Sequence, residues 1–280
     1  MWNLFRAEWT KTYKRPANIG LLLITLAIIL ITFVAQTGIA LYNGKEDTIG
    51  WAGAQFAMMF PNGFLFPSII LSAIGSMLAV VFMGNSIGSE YSRDTWKVLL
   101  PRRARRSDFI IVKIAICLLF MICLIIISLI FGQLMGLIGA AILGGTLFDF
   151  DSFSLGTLLK SLIPVLLQLV VFSSITLLVT MAGRSTIMGI VFGIVGNTIF
   201  NLAMSFSTLA AKILPNAHIS NLEANWLYTG DEQKLMFEGV DRVFGTHISL
   251  STSLMVVAAY IFGSIMLGIL LFQRRDMAGQ

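Results

Sequence analysis

The feature that most constrains this chain is a basic segment, residues 89–113, with a long apolar run on each side of it. The segment holds seven of the nineteen Lys and Arg residues of the chain. A basic segment between two runs long enough to cross a bilayer is typical of a loop on the cytoplasmic side of a membrane. Its position therefore predicts the orientation of every other segment.

The composition argues against a soluble domain. Of the 280 residues, 57% are hydrophobic and only 12% are charged, whereas a soluble domain has about 25% charged residues. The net charge of +5 comes from residues beside the apolar runs, which predicts contact with anionic membrane lipid and no binding of nucleic acid. Cys117 and Cys123 are six residues apart in one run, so they point to different helix faces and are expected to pack rather than to form a disulfide.

The predicted fold class is an all-α integral membrane protein with six transmembrane helices and both termini on the cytoplasmic side. One crossing needs about 20 apolar residues. Residues 17–280 form the six-span domain, and an ordered outer loop precedes the last span. Two apolar stretches broken by Gly or Pro, 49–63 and 136–148, leave open whether they are re-entrant. The predicted spans are 17–41, 64–88, 109–134, 162–181, 186–209 and 249–272, with a cytoplasmic loop at 89–108 and the outer loop at 210–248.

The distribution of charge agrees with this topology. Fourteen of the nineteen basic residues fall in the predicted cytoplasmic segments, whereas nine of the fourteen acidic residues fall in the outer ones. No charged residue lies near a predicted midplane, where it would cost about 2.5–3.5 kcal/mol on insertion scales.

Residues 1–16 are predicted to form an amphipathic helix in the membrane interface. Four aromatic rings recur at helical spacing on one face, and three basic residues lie on the opposite face. The alternative is an aromatic overhang of the first span with no helix of its own. Pro16 favours a separate helix, because proline ends one helix and is tolerated in the first turn of the next. The rings are those of Trp2, Phe5, Trp9 and Tyr13.

The predicted spans offer almost nothing for catalysis. They lack the paired carboxylates or histidines of an intramembrane protease, and His218 and His247 lie in the predicted outer loop. The chain has no Walker-type phosphate loop. We therefore expect no catalytic residue, metal site or cofactor in this chain. A carrier driven by protons or sodium usually has ionisable residues within its spans, so the energy source is expected to be another protein.

Small and uncharged polar residues recur every four positions along the fifth span. Packing of helices within one subunit explains such a pattern, because small residues let helix backbones approach closely. The alternative is a face that meets a second subunit and lies near a translocation path. The residues concerned are Gly189, Gly193, Asn197 and Asn201, together with Gln133 and Gln168 in other spans.

The basic segment resembles the loop between the second and third spans of ABC type-2 permeases. Asp94 stands where that family usually has glycine, so the local turn is expected to differ. The start of the chain, residues 4–11, and its end, residues 272–276, also resemble the family. The residues of the loop that show the resemblance are Glu90, Tyr91, Thr95, Trp96, Leu99, Leu100, Pro101, Arg105 or Arg106, Phe109 and Lys113.

The resemblance implies an exporter permease in a prokaryotic cytoplasmic membrane. Two separate ATP-binding cassette subunits would bind ATP and magnesium, and a second permease subunit would complete a homo- or heterodimer. The coupling residues implied for the ATPase contact are Glu90, Tyr91, Thr95 and Trp96. Similarity to bacitracin- and lantibiotic-immunity permeases implies a hydrophobic or amphipathic substrate, such as an antimicrobial peptide or a lipid-like molecule. The alternatives are a channel or ion-export subunit and a structural subunit of a membrane complex.

Overall fold

The computed structural model describes residues 2–44, 48–60, 62–92, 106–145, 147–148, 155–227 and 248–274. This part of the chain is nearly all helical, with one isolated bridge between Phe60 and Phe148. The helices are α1 (Trp2–Tyr13), α2 (Pro16–Asn43), α3 (Thr48–Met58), α4 (Asn62–Ser92), α5 (Arg106–Ile142), α6 (Leu155–Gly183), α7 (Thr186–Phe206), α8 (Thr208–Ile213), α9 (Pro215–Leu227) and α10 (Leu250–Arg274).

Six of these helices, α2, α4, α5, α6, α7 and α10, are long and apolar enough to cross a membrane. The prediction of a helical protein with six such helices is thereby confirmed. The third of them is longer than predicted, because α5 continues past residue 134 to Ile142. Glycine is tolerated in helices of this kind when neighbouring helices pack against it, and Gly136 and Gly139 both lie against Met58 of α3.

The N-terminal helix is a separate element, as the sequence predicts. Arg15 has an extended backbone (φ −76°, ψ 121°) and Pro16 occupies the first turn of α2. The rings do not share one environment. Trp2 and Tyr13 are 73% and 71% exposed, whereas Phe5 packs against the main core. Whether α1 lies in a membrane interface stays a prediction.

The centre of the bundle is formed by α4 and α6. Helix α4 packs against α5, α6 and α7, and α6 packs against α4, α7, α9 and α10. The main core lies between these helices and includes the stacked rings of Phe82 and Phe120, whose centroids are 4.1 Å apart. Helices α2, α7 and α10 expose most of their apolar side chains. They are therefore the peripheral members of the bundle.

Helix α7 lies in a groove between α4 and α6, where small residues permit close approach. A Cβ atom on Gly193 would lie 2.5 Å from Val80 Cγ1 and 2.7 Å from Thr176 Oγ1. A Cβ atom on Gly84 of α4 would lie 2.7 Å from Ile190 Cγ1. Real Cβ atoms do not approach other heavy atoms so closely, so a side chain at either position would have to displace its neighbours.

The segment before the last long helix is helical for part of its length. Helices α8 and α9 cover residues 208–213 and 215–227, and α9 packs against α6 and α10. Residues 228–247 of the predicted outer loop lie outside the described residues. Segment 49–63 contains α3, which packs against α2, α4 and α5. Whether 49–63 or 136–148 re-enters a membrane stays a prediction.

Candidate functional site

Four charged side chains meet where α1, α4 and α5 come together, and we call them the charged cluster: Glu8, Lys11, Glu90 and Lys113. Lys113 Nζ lies 2.9 Å from Glu8 Oε2 and 3.3 Å from Glu90 Oε1. Lys11 Nζ contacts Glu90 Oε1 and lies 3.8 Å from Glu8 Oε1. The cluster contains two carboxylates and two ammonium groups, so it is formally neutral.

Three members of the charged cluster are deeply buried, whereas the Lys11 side chain is 33% exposed. Glu90 is 1% exposed, Lys113 is 2% exposed and Glu8 is 7% exposed. Burial of a single charge costs several kcal/mol unless the charge is paired and hydrogen-bonded. Lys113 satisfies this requirement, because its ammonium also donates to the backbone carbonyl of Ser86 at 3.0 Å. The pairing therefore permits the cluster to sit within the bundle.

Arg15 fastens the junction of α1 and α2 to the end of α4. Its guanidinium donates from Nη1 to the Asn85 carbonyl at 3.3 Å and from Nη2 to Ser89 Oγ at 2.9 Å. Asn18 Nδ2 donates to the Thr12 carbonyl at 2.9 Å, which ties the start of α2 back to α1. Together with the charged cluster, these bonds hold α1, α2, α4 and α5 at one end of the bundle.

Of the four predicted coupling residues, the structure describes Glu90 and Tyr91. Glu90 belongs to the charged cluster, so a partner could reach this carboxylate only after the cluster opens. Tyr91 is partly buried against the main core. Thr95 and Trp96 lie outside the described residues. The coupling role of all four residues stays a prediction.

A second polar site lies among four helices of the bundle, and we call it the amide-lined cavity. Its volume is about 210 Å³, and α4, α6, α7 and α9 form its walls. Asn201 and Ser220 at its wall are exposed, so the cavity is open to the outside of the chain. The lining residues are Ser72, Ala73, Gln168, Asn197, Asn201, Asn216, Ile219, Ser220 and Glu223.

The amide nitrogens in this cavity donate to neighbours within the chain. Asn216 Nδ2 donates to Asn197 Oδ1 at 3.0 Å and to Asn201 Oδ1 at 2.9 Å. Asn197 Nδ2 donates to Ser76 Oγ at 2.8 Å, and Gln168 Nε2 donates to the Ser72 carbonyl at 3.0 Å. The network links α4 to α6, and links α7 to both α4 and α9.

The acceptors in the cavity are less well satisfied. Asn216 is 8% exposed, and its Oδ1 has no hydrogen-bond partner. Glu223 has no cation paired with it within the described part of the chain. Burial raises the pKa of the Glu223 carboxyl above its usual value, because desolvation disfavours the charged form. The cavity therefore presents a surplus of acceptors.

Three of the predicted path residues, Gln168, Asn197 and Asn201, come together in this cavity. Gly189 and Gly193 face Thr180 and Thr176 of their own chain, so their close approach lies within this subunit. Their predicted role at a path or subunit interface is not tested by this contact and stays a prediction.

Gln133 lies apart from the cavity, against Gly63 at the start of α4. It is 6% exposed, and neither atom of its amide has a hydrogen-bond partner. Sequence reasoning missed Asn216 and Glu223, which come from the predicted outer loop. The available signal was the spacing of Asn216, Ser220 and Glu223 by four and three residues, which places them on one helix face.

A buried Ser–His contact joins α9 to α10. His218 Nδ1 lies 3.1 Å from Ser253 Oγ, and its Nε2 lies 3.0 Å from the Lys212 carbonyl. Asn221 Nδ2 also donates to Ser253 Oγ, at 2.8 Å. His218 and Ser253 are both 0% exposed, so this contact holds two helices together and is closed to a substrate. Within the described ranges, no three His, Cys, Asp or Glu side chains gather as metal ligands do.

A family model matches residues 54–278, more than three-quarters of the chain, and it describes proteins of unknown function (DUF2705). The match begins within α3 and includes Glu90, Lys113 and all residues of the amide-lined cavity. Glu8 and Lys11 of the charged cluster precede it. No curated protein matches the chain.

Proposed function

The chain belongs to the DUF2705 family of proteins of unknown function, and from its own residues we propose that it is the transmembrane permease subunit of an ATP-driven, ABC-type exporter. Its termini and its basic segment would lie in the cytoplasm of a prokaryotic cell, and α8 and α9 would lie on the outer side. A separate ATP-binding cassette subunit, in two copies, would supply the energy. A second permease subunit would complete the path for a hydrophobic or amphipathic molecule such as an antimicrobial peptide.

The observation that most supports the proposal is the charged cluster. A permease driven from outside itself needs a way to pass motion from the ATPase contact to several helices at once. In the sequence, residues 93–105 connect the end of α4 to the start of α5. Glu90 and Lys113, close to those two points, pair with each other, and both contact α1 through Glu8 or Lys11. A force on the basic segment would therefore act on α1, α4 and α5 together.

In this scheme Glu90 is a positioning residue that acts through the cluster, and Tyr91 and Trp96 are the residues that contact the ATPase. Aromatic side chains contribute large contact areas to protein interfaces and are frequent among their energetically dominant residues. The four arginines of the basic segment would contact anionic lipid and maintain the orientation.

The test is co-purification from the membranes of the native host. The tagged chain should bring with it a subunit that hydrolyses Mg-ATP, and the double variant Tyr91→Ala/Trp96→Ala should lose it while still inserting at normal levels. The matched control is Tyr42→Ala/Trp51→Ala, which removes the same two ring types elsewhere in the chain; Tyr42 is 91% exposed. The control should retain the ATPase.

Two outcomes contradict the proposal. If the ATPase stays bound to the Tyr91/Trp96 double variant and remains active, these two residues do not form the proposed contact with the ATPase. Dissipation of an ion gradient by the purified chain alone in liposomes would favour a channel instead. The substrate class is tested separately, by the susceptibility of cells with and without the chain to a panel of membrane-active peptides; identical profiles would remove the peptide assignment.

A further inference from the structure

In the amide-lined cavity, the side-chain amide donors are paired within the chain, whereas some of the acceptors are not. The side-chain amide nitrogens of Gln168, Asn197 and Asn216 donate to acceptors within the chain at 2.8–3.0 Å. In this network the Asn216 nitrogen faces the side-chain oxygens of Asn197 and Asn201. The Asn216 oxygen is consequently left without a donor.

An unpaired buried acceptor is costly, by about 1–3 kcal/mol. Glu223 adds a half-buried acceptor at the cavity wall, because its carboxyl has no cation beside it in the described part of the chain. Among the described residues that line the cavity there is no Lys, Arg or His. A positively charged hydrogen-bond donor in the cavity would pair with the Glu223 carboxylate and neutralise it.

The cavity has room for such a group. Its volume of about 210 Å³ is several times the roughly 30 Å³ that one water molecule occupies in the liquid. A guanidinium or ammonium group with a short alkyl chain fits this space. The openings at Asn201 and Ser220 give access to it from outside the chain.

We propose that the amide-lined cavity binds an ammonium or guanidinium group, with the Glu223 carboxylate as its acceptor. In the exporter proposed above, this group would belong to a cationic amphipathic substrate, and that part of the inference rests on the proposed function. The binding itself depends only on this chain. An ammonium could also come from the head group of phosphatidylethanolamine, so the experiment distinguishes the two sources.

The experiment measures binding of n-butylguanidinium by calorimetry to the full chain in phosphatidylcholine nanodiscs, without any ATPase. The comparison probe is n-butylurea, which has nearly the same shape and no charge. Saturable binding of n-butylguanidinium and at least tenfold weaker binding of n-butylurea are expected. Glu223→Gln should weaken n-butylguanidinium binding by about tenfold or more, the size of one charge-assisted hydrogen bond.

The matched control is Asp108→Asn, the same acid-to-amide change at the start of α5, and it should bind as the unsubstituted chain does. Ser220→Asp adds a carboxylate to the cavity wall and should tighten n-butylguanidinium binding while leaving n-butylurea unaffected. This variant and the comparison of the two probes keep the test decisive if Glu223→Gln fails to fold. Weaker binding in nanodiscs that contain phosphatidylethanolamine would identify the lipid as a competing source of the cation.

Equal binding of n-butylurea and n-butylguanidinium would overturn the proposal. So would an affinity of Glu223→Gln equal to that of Asp108→Asn, or no binding of n-butylguanidinium to the unsubstituted chain. None of these results would affect co-purification of an ATPase. Conversely, loss of the ATPase assignment would leave the binding measurement standing, so the two proposals fail separately.

Discussion

At one end of α4, the Glu90 carboxylate lies against two lysines and is 1% exposed. Eighteen residues earlier, about 27 Å along the helix, Ser72 lines a cavity whose described walls place amides, hydroxyl groups and the apolar side chains of Ala73 and Ile219 around Glu223. Both sites place a glutamate among helices of an apolar bundle. In the charged cluster, lysines of the same chain neutralise the carboxylates. In the amide-lined cavity, no cation of the described residues pairs with the Glu223 carboxylate, so a bound cation could do so.

We therefore expect the paired carboxylates of the charged cluster to stabilise the fold, and the unpaired carboxylate of the amide-lined cavity to serve binding. A charge that is paired within the chain contributes to the stability of the fold, because removal of its partner leaves an uncompensated buried charge. A carboxylate without a partner makes no such contribution to the stability of the fold, and its desolvation opposes folding. The same substitution should therefore have opposite consequences at the two sites.

The largest effect is expected from Lys113→Met in the charged cluster. The change removes the ammonium that bridges Glu8 and Glu90 and leaves Lys11 alone to compensate two buried carboxylates. Breaking a buried ion pair in this way costs about 3–5 kcal/mol. Thermal unfolding of the detergent-solubilised chain, followed by the elution of folded protein after heating, should show a large loss of stability.

The control for this variant is Lys160→Met, the same change at an exposed position of α6, which should alter stability little. Adding Glu90→Gln to Lys113→Met should restore part of the loss, because the pair of changes removes one carboxylate with one ammonium. Losses that simply add would show that the residues of the cluster do not interact.

The second prediction compares the two glutamates directly. Glu90→Gln should lower the free energy of unfolding by about 2–3 kcal/mol, because Lys113 and Lys11 then share only Glu8. Glu223→Gln should leave the stability unchanged or raise it slightly at pH 8, where a carboxyl with a raised pKa would otherwise have to lose its proton. A loss of stability with Glu223→Gln comparable to that with Glu90→Gln would erase the distinction between the two sites.

The third prediction concerns α7, the helix that lies between α4 and α6 and ends near the cavity. Gly193→Ala places a methyl group within 2.5 Å of Val80 and should cost about 1–2 kcal/mol by overpacking. Gly196→Ala, three residues further along the same helix, meets nothing within 4 Å. It should be neutral or slightly stabilising, since alanine favours a helix more than glycine does.

Unfolding measured on both variants in the same detergent tests this prediction, with each serving as the control for the other. Equal stabilities would mean that the groove between α4 and α6 is not tightly packed. An altered oligomeric state of Gly196→Ala alone would indicate that the outer face of α7 meets a second subunit.

The six long helices could be predicted from the sequence because hydropathy and the absence of charge are local properties of each run. The exact length of α5 could not, since the glycines that suggested an end at residue 134 are contacts with Met58 of α3. The pattern of residues within one stretch of sequence does not reveal a contact with another helix.

The two sites could be predicted only in part. The spacing of Asn197 and Asn201 places both on one face of α7, but it does not reveal Asn216, which completes their network from α9. Lys113 pairs with Glu8, which is 105 residues away in the chain. When helices are apolar on nearly all sides, their periodicity says little about which neighbours they face. Gln133 and Gln168 therefore looked alike, although only Gln168 lies in the cavity.

The smallest expected effect is a dependence of stability on pH that comes from α9. Burial lowers the pKa of His218 below its usual 6.5, and its ring nitrogens lie at hydrogen-bond distance from the Ser253 hydroxyl and the Lys212 carbonyl. The unfolded chain therefore binds a proton below pH 6.5 before the folded chain does. The contribution of His218 is fully present above pH 6.5 and is lost as the pH falls towards the lowered pKa of the folded state.

Glu223 acts in the opposite direction, because a raised carboxyl pKa makes the fold more stable as the pH falls. The His218 effect is therefore measured best in the Glu223→Gln background, as the unfolding temperature between pH 8 and pH 5. His218→Gln should flatten the acid side of that profile. His247→Gln, at the other histidine of the chain, is the matched control and should leave the His218-dependent loss in place. If His218→Gln keeps the same acid loss as its control, the contact between α9 and Ser253 does not depend on a neutral imidazole.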